Sequence, residues 1–131
     1  MTLKPGLTGS ATIVVGEEHT AEHMGSGRAR VFASPAMIAL MEAAAVDCVD
    51  GELADGQESL GVRLEVDHTA PTPVGLTVTA RAELVAVDGR KLTFDVEAED
   101  GRETIGKGRH VRVVVDSARF AQKLATKAPD T

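Results

Sequence analysis

Apolar residues recur at helical spacing in one stretch of the chain, and this is its strongest pattern. The apolar positions are Met37, Ile38, Leu40, Met41, Ala44, Ala45 and Cys48. This spacing predicts an amphipathic helix over residues 35–49, with Ser34 as its N-cap, Pro35 at its first position and Gly51 just past its end. Glu42 lies within the apolar run, just over two turns after Ser34, so both side chains are expected on about the same side. Because a carboxylate near a buried surface is costly unless it is paired or used, Glu42 is a candidate functional residue.

Alternation of apolar and polar residues indicates strands elsewhere in the chain. A first strand is predicted at residues 8–15, followed by a polar, glycine-rich segment at 19–30 that we interpret as a strand end and a mobile loop. Residues 60–66 alternate like a half-buried strand that His68 closes, because two prolines follow shortly. Further strands are predicted at 76–86, 92–98 and 103–115.

Turn signals define how these strands connect. Asp88-Gly89 and Asp100-Gly101 predict tight hairpins, which make residues 76–115 an antiparallel meander. A short helix is expected at 117–125, and the tail at 127–131 is expected to be frayed. Only the helix over 35–49 is long and apolar enough to cover the apolar face of the sheet. The predicted class is therefore α+β, with a long central helix wrapped by a curved antiparallel β-sheet: the hot-dog fold.

Length, composition and charge restrict the function classes. The 131 residues suit a single domain, and the core must be aliphatic because the chain has three Phe and no Trp or Tyr. The shortage of aromatic residues and the net charge of −6 argue against binding nucleic acid. No apolar run approaches the ~20 residues that span a bilayer, and the N-terminus lacks the apolar core of a signal peptide. Cys48 has no second cysteine to pair with, so a cytoplasmic protein without a membrane partner is expected.

Seven short segments together form a more specific pattern. They are Val31-Phe32-Ala33-Ser34, Leu40-Met41-Glu42, Ser59-Leu60-Gly61, His68-Thr69-Ala70, Pro73-Val74-Gly75-Leu76-Thr77-Val78-Thr79, Val87-Asp88-Gly89-Arg90 and Glu103-Thr104-Ile105-Gly106-Lys107-Gly108. This pattern resembles the fluoroacetyl-CoA thioesterase family of hot-dog proteins, over roughly residues 31–128. The resemblance implies a thioesterase that hydrolyses a short-chain acyl-CoA. It also implies a homodimer with sites between subunits, and no cofactor, since coenzyme A is part of the substrate.

The resemblance also assigns roles to five residues. The hydroxyl residue of the family at the helix start falls on Ser34, its helix carboxylate on Glu42 and its histidine on His68. Gly61 corresponds to the glycine whose N–H lies near the thioester carbonyl, and Arg112 to an arginine on the last strand. The best-known members carry threonine in place of Ser34 and aromatic residues before the helix. Residues 25–30 contain no aromatic residue, so a preference for a fluorinated acetyl group does not follow.

These residue types suit thioester hydrolysis. His68 is the natural general base, because imidazole titrates at about 6.5. Glu42 would orient His68 or activate water, and Ser34 would attack the thioester or hold water or substrate. The Gly61 N–H and the helix N-terminus are candidates for stabilising the oxyanion. The sequence does not distinguish an acyl-enzyme from direct attack by water.

Each of these residues also has a purely structural explanation. Capping alone would account for Ser34, and the Glu42 side chain would reach solvent from the edge of the apolar stripe. His68 would be an ordinary surface residue at a strand end. Gly61 would mark a bulge or close packing, and Arg112 would pair with a cross-strand acid such as Glu97. The spacing of all five within one resemblance favours the catalytic interpretation.

Two other functions remain open. A hot-dog domain that binds acyl-CoA without hydrolysing it is the main alternative, while a dehydratase or hydratase lacks its usual Asp and His loop motif. A metal site at His19, His23 or His110 is not expected, because the spacing of His19 and His23 does not place them side by side and no metal-binding motif accompanies the three. Lys107 and Arg109 are candidates for contact with coenzyme A phosphates, although Gly106-Lys107-Gly108-Arg109 is not a P-loop and a solvated strand edge explains it equally.

Overall fold

Five strands and three helices make up the chain in a computed structural model that describes residues 2–130. The strands are β1 (Thr8–Val14), β2 (Gln57–His68), β3 (Thr77–Asp88), β4 (Lys91–Glu99) and β5 (Thr104–Asp116). The helices are α1 (Ala21–Met24), α2 (Ser34–Val49) and α3 (Ser117–Lys127). Two short 3₁₀ turns, Glu17–His19 and Asp50–Glu52, precede α1 and follow α2.

The strands form one antiparallel sheet in the order β1-β3-β4-β5-β2, which leaves β1 and β2 at its edges. The meander β3-β4-β5 is confirmed, and the hairpin between β3 and β4 turns through residues 89–90. The second hairpin is longer than predicted, with four residues between Glu99 and Thr104. Asp100 stabilises it, because its Oδ1 accepts hydrogen bonds from the backbone N–H groups of Arg102 and Glu103 at 3.0 and 3.1 Å.

Helix α2 packs against the concave face of the sheet and forms the centre of the core, as the hot-dog prediction requires. Alternate residues of β3 and β4 face it and are buried: Val78, Ala80, Ala82, Leu84, Leu92, Phe94, Val96 and Ala98. The alanines of β3 keep the sheet surface flat enough for a helix to approach. β1 approaches α2 so closely that a Cβ at Gly9 would overlap the backbone of Ala44 and Cys48.

Some local predictions were wrong at the ends of α2 and before it. The polar segment at 19–30 contains α1, where a strand end and loop were predicted. The N-cap of α2 is Ala33, and Ser34 is the first helical residue, so its hydroxyl is free for another partner. Gly51 does not cap α2 in the left-handed conformation, because a 3₁₀ turn continues the helix from Asp50. Lys127 ends α3 rather than belonging to the tail, and Thr131 lies outside the described residues.

The apolar row of β2 is the main departure from the predicted burial. The strand exists, but Val62 and Leu64 are 59% and 38% exposed, where a half-buried face was predicted. A bulge between Gly61 and Arg63 shifts the register with β5 at this point. β2 therefore presents both an unpaired backbone edge and apolar side chains to its surroundings, in the part of the chain that the structure describes.

Candidate active site

Ser34 and His68 meet at the start of α2. Ser34 Oγ lies 2.7 Å from His68 Nδ1, within hydrogen-bond distance. Pairing of the segment before α2 with the segment after β2 produces this contact: Val31 and Pro73 form an isolated antiparallel bridge, and a backbone hydrogen bond reinforces it. We refer to Ser34 and His68 as the Ser34–His68 pair.

The other side of the His68 ring is unusual. Its Nε2 is buried and has no hydrogen-bond partner among residues 2–130. Burial lowers the pKa of His68 below its usual value, and a hydrogen bond with the backbone of Ala70 offsets part of that effect. The ring is therefore neutral at neutral pH and has one nitrogen that still requires a partner.

A pocket of about 280 Å³ opens beside the Ser34–His68 pair. Residues 31–33 and 69–71 form its sides, and Ala21 and Ser26 close it from the α1 side. The walls are mostly small or apolar, so the pocket suits a small uncharged group placed next to the hydroxyl and the imidazole.

Arg112 organises a second polar group on the adjoining strands. Its Nε donates to Ser59 Oγ and its Nη2 to the Ser59 carbonyl, both at 2.8 Å. Its Nη1 lies 3.0 Å from His110 Nε2 and 3.4 Å from Glu42 Oε2. Burial lowers the pKa of Arg112, and the charge of Glu42 counteracts this. We refer to these four residues as the Arg112 cluster.

His110 is the fully buried member of the Arg112 cluster. Its Nδ1 lies 2.8 Å from the carbonyl of Arg63, so Nδ1 carries the proton and donates. The Nε2 of the neutral ring therefore accepts from Arg112. Burial lowers the pKa of His110, the Arg63 carbonyl raises it, the positive charge of Arg112 lowers it and Glu42 raises it. The ring also stacks on Phe94, with centroids 6.0 Å apart.

Gly61 lies directly over the Arg112 cluster, because it pairs with Arg112 across β2 and β5. A Cβ at Gly61 would lie 2.6 Å from Glu42 Oε2, 3.1 Å from His110 Cε1 and 3.3 Å from Arg112 Nη1. Only glycine therefore lets the backbone approach the Glu42 carboxylate at this point.

The five predicted residues thus fall into two groups within the chain. Ser34 and His68 are in contact, and Glu42, Gly61 and Arg112 are together, but no hydrogen bond or ion pair joins the groups among residues 2–130. Eight residues of helix place Ser34 and Glu42 ~12 Å apart along the axis of α2. Within one chain Glu42 therefore contacts Arg112 and not His68.

Two sequence-based alternatives are wrong. Ser34 does not cap α2, and Arg112 does not pair with Glu97, since the partners of its side chain are Ser59, His110 and Glu42. Glu97 instead lies opposite Arg81 and Lys107 on the outer face of the sheet.

Sequence analysis missed two members of the Arg112 cluster. His110 was considered only as a metal ligand, although its position two residues before Arg112 places both side chains on the same face of β5. Ser59 was noted only as part of a resembling segment, two residues before Gly61. Among residues 2–130, no three His, Cys, Asp or Glu side chains are placed to hold a metal ion. None of the helices in this range is long and apolar enough to cross a membrane.

Comparisons with known proteins point to one family. The sequence profile of FlK, described as a fluoroacetyl-CoA-specific thioesterase, matches residues 15–118. A fluoroacetyl-CoA thioesterase of Streptantibioticus cattleyicolor is 46% identical over 99 residues, which are 76% of this chain and 71% of that protein. A structure of the fluoroacetyl-CoA thioesterase FlK superposes with a TM-score of 0.92 at 38% identity, covering 98% of this chain and 100% of the other. A thioesterase superfamily member of Thermus thermophilus gives a TM-score of 0.88 at 25% identity, covering 95% and 93%.

Proposed function

Because the chain belongs to the FlK family of fluoroacetyl-CoA-specific thioesterases and is an acyl-CoA thioesterase, we propose that it hydrolyses a short-chain acyl-CoA at a site shared by two protomers. The observation that carries this proposal is the division of the polar residues into the Ser34–His68 pair and the Arg112 cluster. Each group is well formed, and each lacks what the other supplies: the Arg112 cluster lacks the base and the hydroxyl, and the Ser34–His68 pair lacks a carboxylate that accepts from His68 Nε2. Hydrolysis is favoured over simple binding of acyl-CoA for the same reason.

The exposed edge of β2 supports the dimer. Seven residues of strand separate Gly61 from His68, about 23 Å at the rise of an extended chain. If two copies pair antiparallel through β2, with the two-fold axis near Leu64 and Glu65, Gly61 of one protomer lies beside His68 of the other. This arrangement brings the Arg112 cluster of one protomer to the Ser34–His68 pair of its partner, and it covers Val62 and Leu64.

The chemistry follows from the groups so assembled. Neutral His68 takes a proton from the attacking oxygen, which belongs either to Ser34 or to a water held by Ser34 and Glu42. Attack on the thioester carbon puts negative charge on the carbonyl oxygen, near the N–H of Gly61 and the start of α2. The C–S bond then breaks and the sulfur takes the proton from His68. The products are coenzyme A and the free acid, directly or after water hydrolyses an ester on Ser34.

The pocket beside Ser34 supports a small acyl group. Its volume of about 280 Å³ and its small, mostly apolar walls suit an acyl group of a few non-hydrogen atoms. The reaction consumes only water, so no cofactor is required beyond the coenzyme A of the substrate. A single buried thiol and a coenzyme A substrate fit a cytoplasmic enzyme.

Complementation between two inactive variants tests the shared site. His68→Ala and Glu42→Gln are each expected to hydrolyse acetyl-CoA poorly. When the two variants are unfolded together and refolded as a mixture, half of the dimers are mixed, and each mixed dimer holds one intact site. Activity should therefore recover to about a quarter of the unmodified value.

A mixture of Ser34→Ala with His68→Ala is the matched control. Both changes affect the same group, so every site in a mixed dimer keeps a defect and activity should not recover. Recovery in the control, or none in the first mixture, would contradict a site divided in this way.

Two similarly exposed valines, one on each edge strand of the sheet, test the interface. Val62 on β2 and Val14 on β1 are 59% and 61% exposed. Val62→Asp is expected to convert the dimer to monomer and to abolish activity, because with the two-fold axis between Leu64 and Glu65 the new carboxylate would lie opposite Asp67 of the partner subunit, twice in each dimer. Val14→Asp should leave the mass in solution unchanged. Light scattering after gel filtration measures both, and equal behaviour of the two variants would count against pairing through β2.

A further inference from the structure

α3 has a basic face that the mechanism above does not use. Arg119, Lys123 and Lys127 follow one another at intervals of four residues, so they lie along one side of the helix. None of the residues of α3 is buried. A concentrated positive surface is notable in a chain with a net charge of −6.

A pocket of about 320 Å³ lies between α3 and the hairpin that joins β3 to β4. Arg119 and Lys123 line it from the helix, and Arg90 lines it from the hairpin. The hairpin is held there because the N–H of Val114 donates to the carbonyl of Arg90 at 2.9 Å. Three cations from two separate elements therefore converge on one pocket.

These cations have no acidic partner. Among residues 2–130, no carboxylate lies within 4.0 Å of the charged nitrogens of Arg90, Arg119 or Lys123. The carboxylate of Asp116 also lines the pocket, but it caps α3 by accepting from the N–H of Arg119 at 2.9 Å. The pocket therefore keeps a net positive charge.

The two other basic residues considered for phosphate contact differ in this respect. Arg109 Nε lies 2.8 Å from Asp95 Oδ1. Lys107 lies opposite Glu97 on β4 and opposite Asp67 on β2. Both cations are thus matched by carboxylates on the outer face of the sheet and have less charge to offer a phosphate than the α3 pocket has.

Phe120 gives the pocket an aromatic wall. The other two phenylalanines, Phe32 and Phe94, are fully buried in the core, whereas Phe120 remains partly exposed and lines the pocket. An exposed aromatic face beside unpaired cations suits a ligand that carries both a flat base and phosphates.

The distance from the active site fits coenzyme A. Four strand residues separate Arg112 from Asp116, about 13 Å along β5. About thirteen bonds link the sulfur of coenzyme A to its first phosphorus, the length of just over four residues of extended peptide, ~15 Å. The arm of a substrate whose thioester lies at Gly61 and Glu42 is therefore long enough to span the separation of Arg112 and Asp116 along β5. We propose that Arg90, Arg119 and Lys123, with Phe120, bind the phosphate and adenine end of the coenzyme A moiety, an inference that rests on the proposed function.

Titration with coenzyme A itself tests this assignment without depending on turnover. In the double variant Arg119→Gln/Lys123→Gln the dissociation constant for coenzyme A should rise about tenfold, because two charge-assisted contacts are lost. The control is Arg81→Gln/Lys107→Gln, which removes the same charge from the outer face of the sheet and should leave the constant unchanged. An unchanged constant in the first variant, or an equal rise in the control, would overturn the assignment.

Steady-state kinetics with two substrates give a second readout. The KM for acetyl-CoA should rise about tenfold in Arg119→Gln/Lys123→Gln while kcat stays constant, and turnover of acetyl-pantetheine, which lacks the nucleotide, should not change. An equal loss with both substrates would contradict the assignment. If the unmodified protein released thiol from neither substrate, the proposed hydrolysis would fail, and the titration would still decide whether the pocket binds coenzyme A.

Discussion

The Ser34–His68 pair and the Arg112 cluster differ in how completely their polar atoms are satisfied. A single hydrogen bond joins the pair, and one buried ring nitrogen of His68 has no partner in the described chain. In the cluster, Arg112 makes hydrogen bonds to Ser59 and His110 and also reaches the Glu42 carboxylate. A buried group without a partner is available for chemistry, whereas a saturated network fixes the position of the groups around it.

The two groups also arise differently from the chain. The Ser34–His68 pair depends on a bridge between Val31 and Pro73, which lies outside the named strands. The Arg112 cluster depends on strand register, because Gly61 pairs with Arg112 and the alternation of β5 places His110 on the same face. Changes to the pair should therefore affect catalysis most, and changes to the cluster should affect stability as well.

The largest expected effect is the loss of catalysis on removal of His68, the proposed base. His68→Ala should lower kcat/KM for acetyl-CoA by about 10³-fold, as expected for a general base, and change the free energy of unfolding little. Ser34→Ala should lower kcat/KM less than His68→Ala if Ser34 holds a water, and by as much if Ser34 is the nucleophile. Release of thiol measures both variants, and near-normal turnover by His68→Ala would remove His68 from the mechanism.

Removal of Arg112 should, in contrast, lower the free energy of unfolding strongly. Arg112→Met leaves Ser59 and His110 without their donor and Glu42 without its positive partner, so the free energy of unfolding should fall by about 2–4 kcal/mol. Urea denaturation followed by circular dichroism measures the loss. Arg112→Lys keeps the charge but not the forked geometry of the guanidinium. Its free energy of unfolding should therefore lie between those of the unmodified protein and Arg112→Met. A change below about 0.5 kcal/mol for Arg112→Met would contradict a structural role for the cluster.

The smallest expected effect is the pH dependence that the two histidines, His68 and His110, give to stability and activity. The pKa values of His68 and His110 are both lowered by burial. The unfolded chain therefore binds protons as the pH falls below about 6.5, before the folded chain does, and stability declines from that pH down to the folded pKa. For the buried His110 the slope is at most about 1.4 kcal/mol per pH unit.

Activity, like stability, should fall as the pH falls, because His68 becomes protonated. In the proposed mechanism the neutral ring is the base, so kcat/KM should stay constant near pH 7 and fall only when the pH drops below 6.5 and reaches the lowered pKa. A profile of kcat/KM beside unfolding curves at the same pH values tests both expectations. The variant His110→Asn should flatten the stability curve and leave the midpoint of the activity profile in place, and a midpoint above 6.5 would contradict the neutral base.

Sequence patterns predicted most of the fold because the core elements obey simple periods. α2 and the alternation in β3 and β4 are buried on the expected faces, since their neighbours lie within the same chain. β2 alternates just as clearly, yet Val62 and Leu64 are exposed. Alternation shows that a face is apolar but does not show what covers it. The bulge at residues 61–63 and the short helix α1 have no equally regular signal.

The residues of the proposed site follow from the sequence, whereas their division into two groups does not. Five residue types at the spacing of the family led to Ser34, Glu42, His68, Gly61 and Arg112. The division into two groups depends on where β2 ends relative to α2, which no local pattern specifies. His110 was missed because a neutral, buried histidine that accepts from an arginine leaves no motif, and its contact with Arg112 emerges only from the register of β5.

The position of Cys48 has a practical consequence for every assay of this enzyme. The thiol is 6% exposed on the buried side of α2, and burial raises its pKa. Coloured disulfide reagents, which detect free thiol, react with thiolates. Cys48, the only cysteine of the chain, should therefore not react with them. Colour that develops in the cuvette then reports product alone, and neither a cysteine-free variant nor a background correction is required.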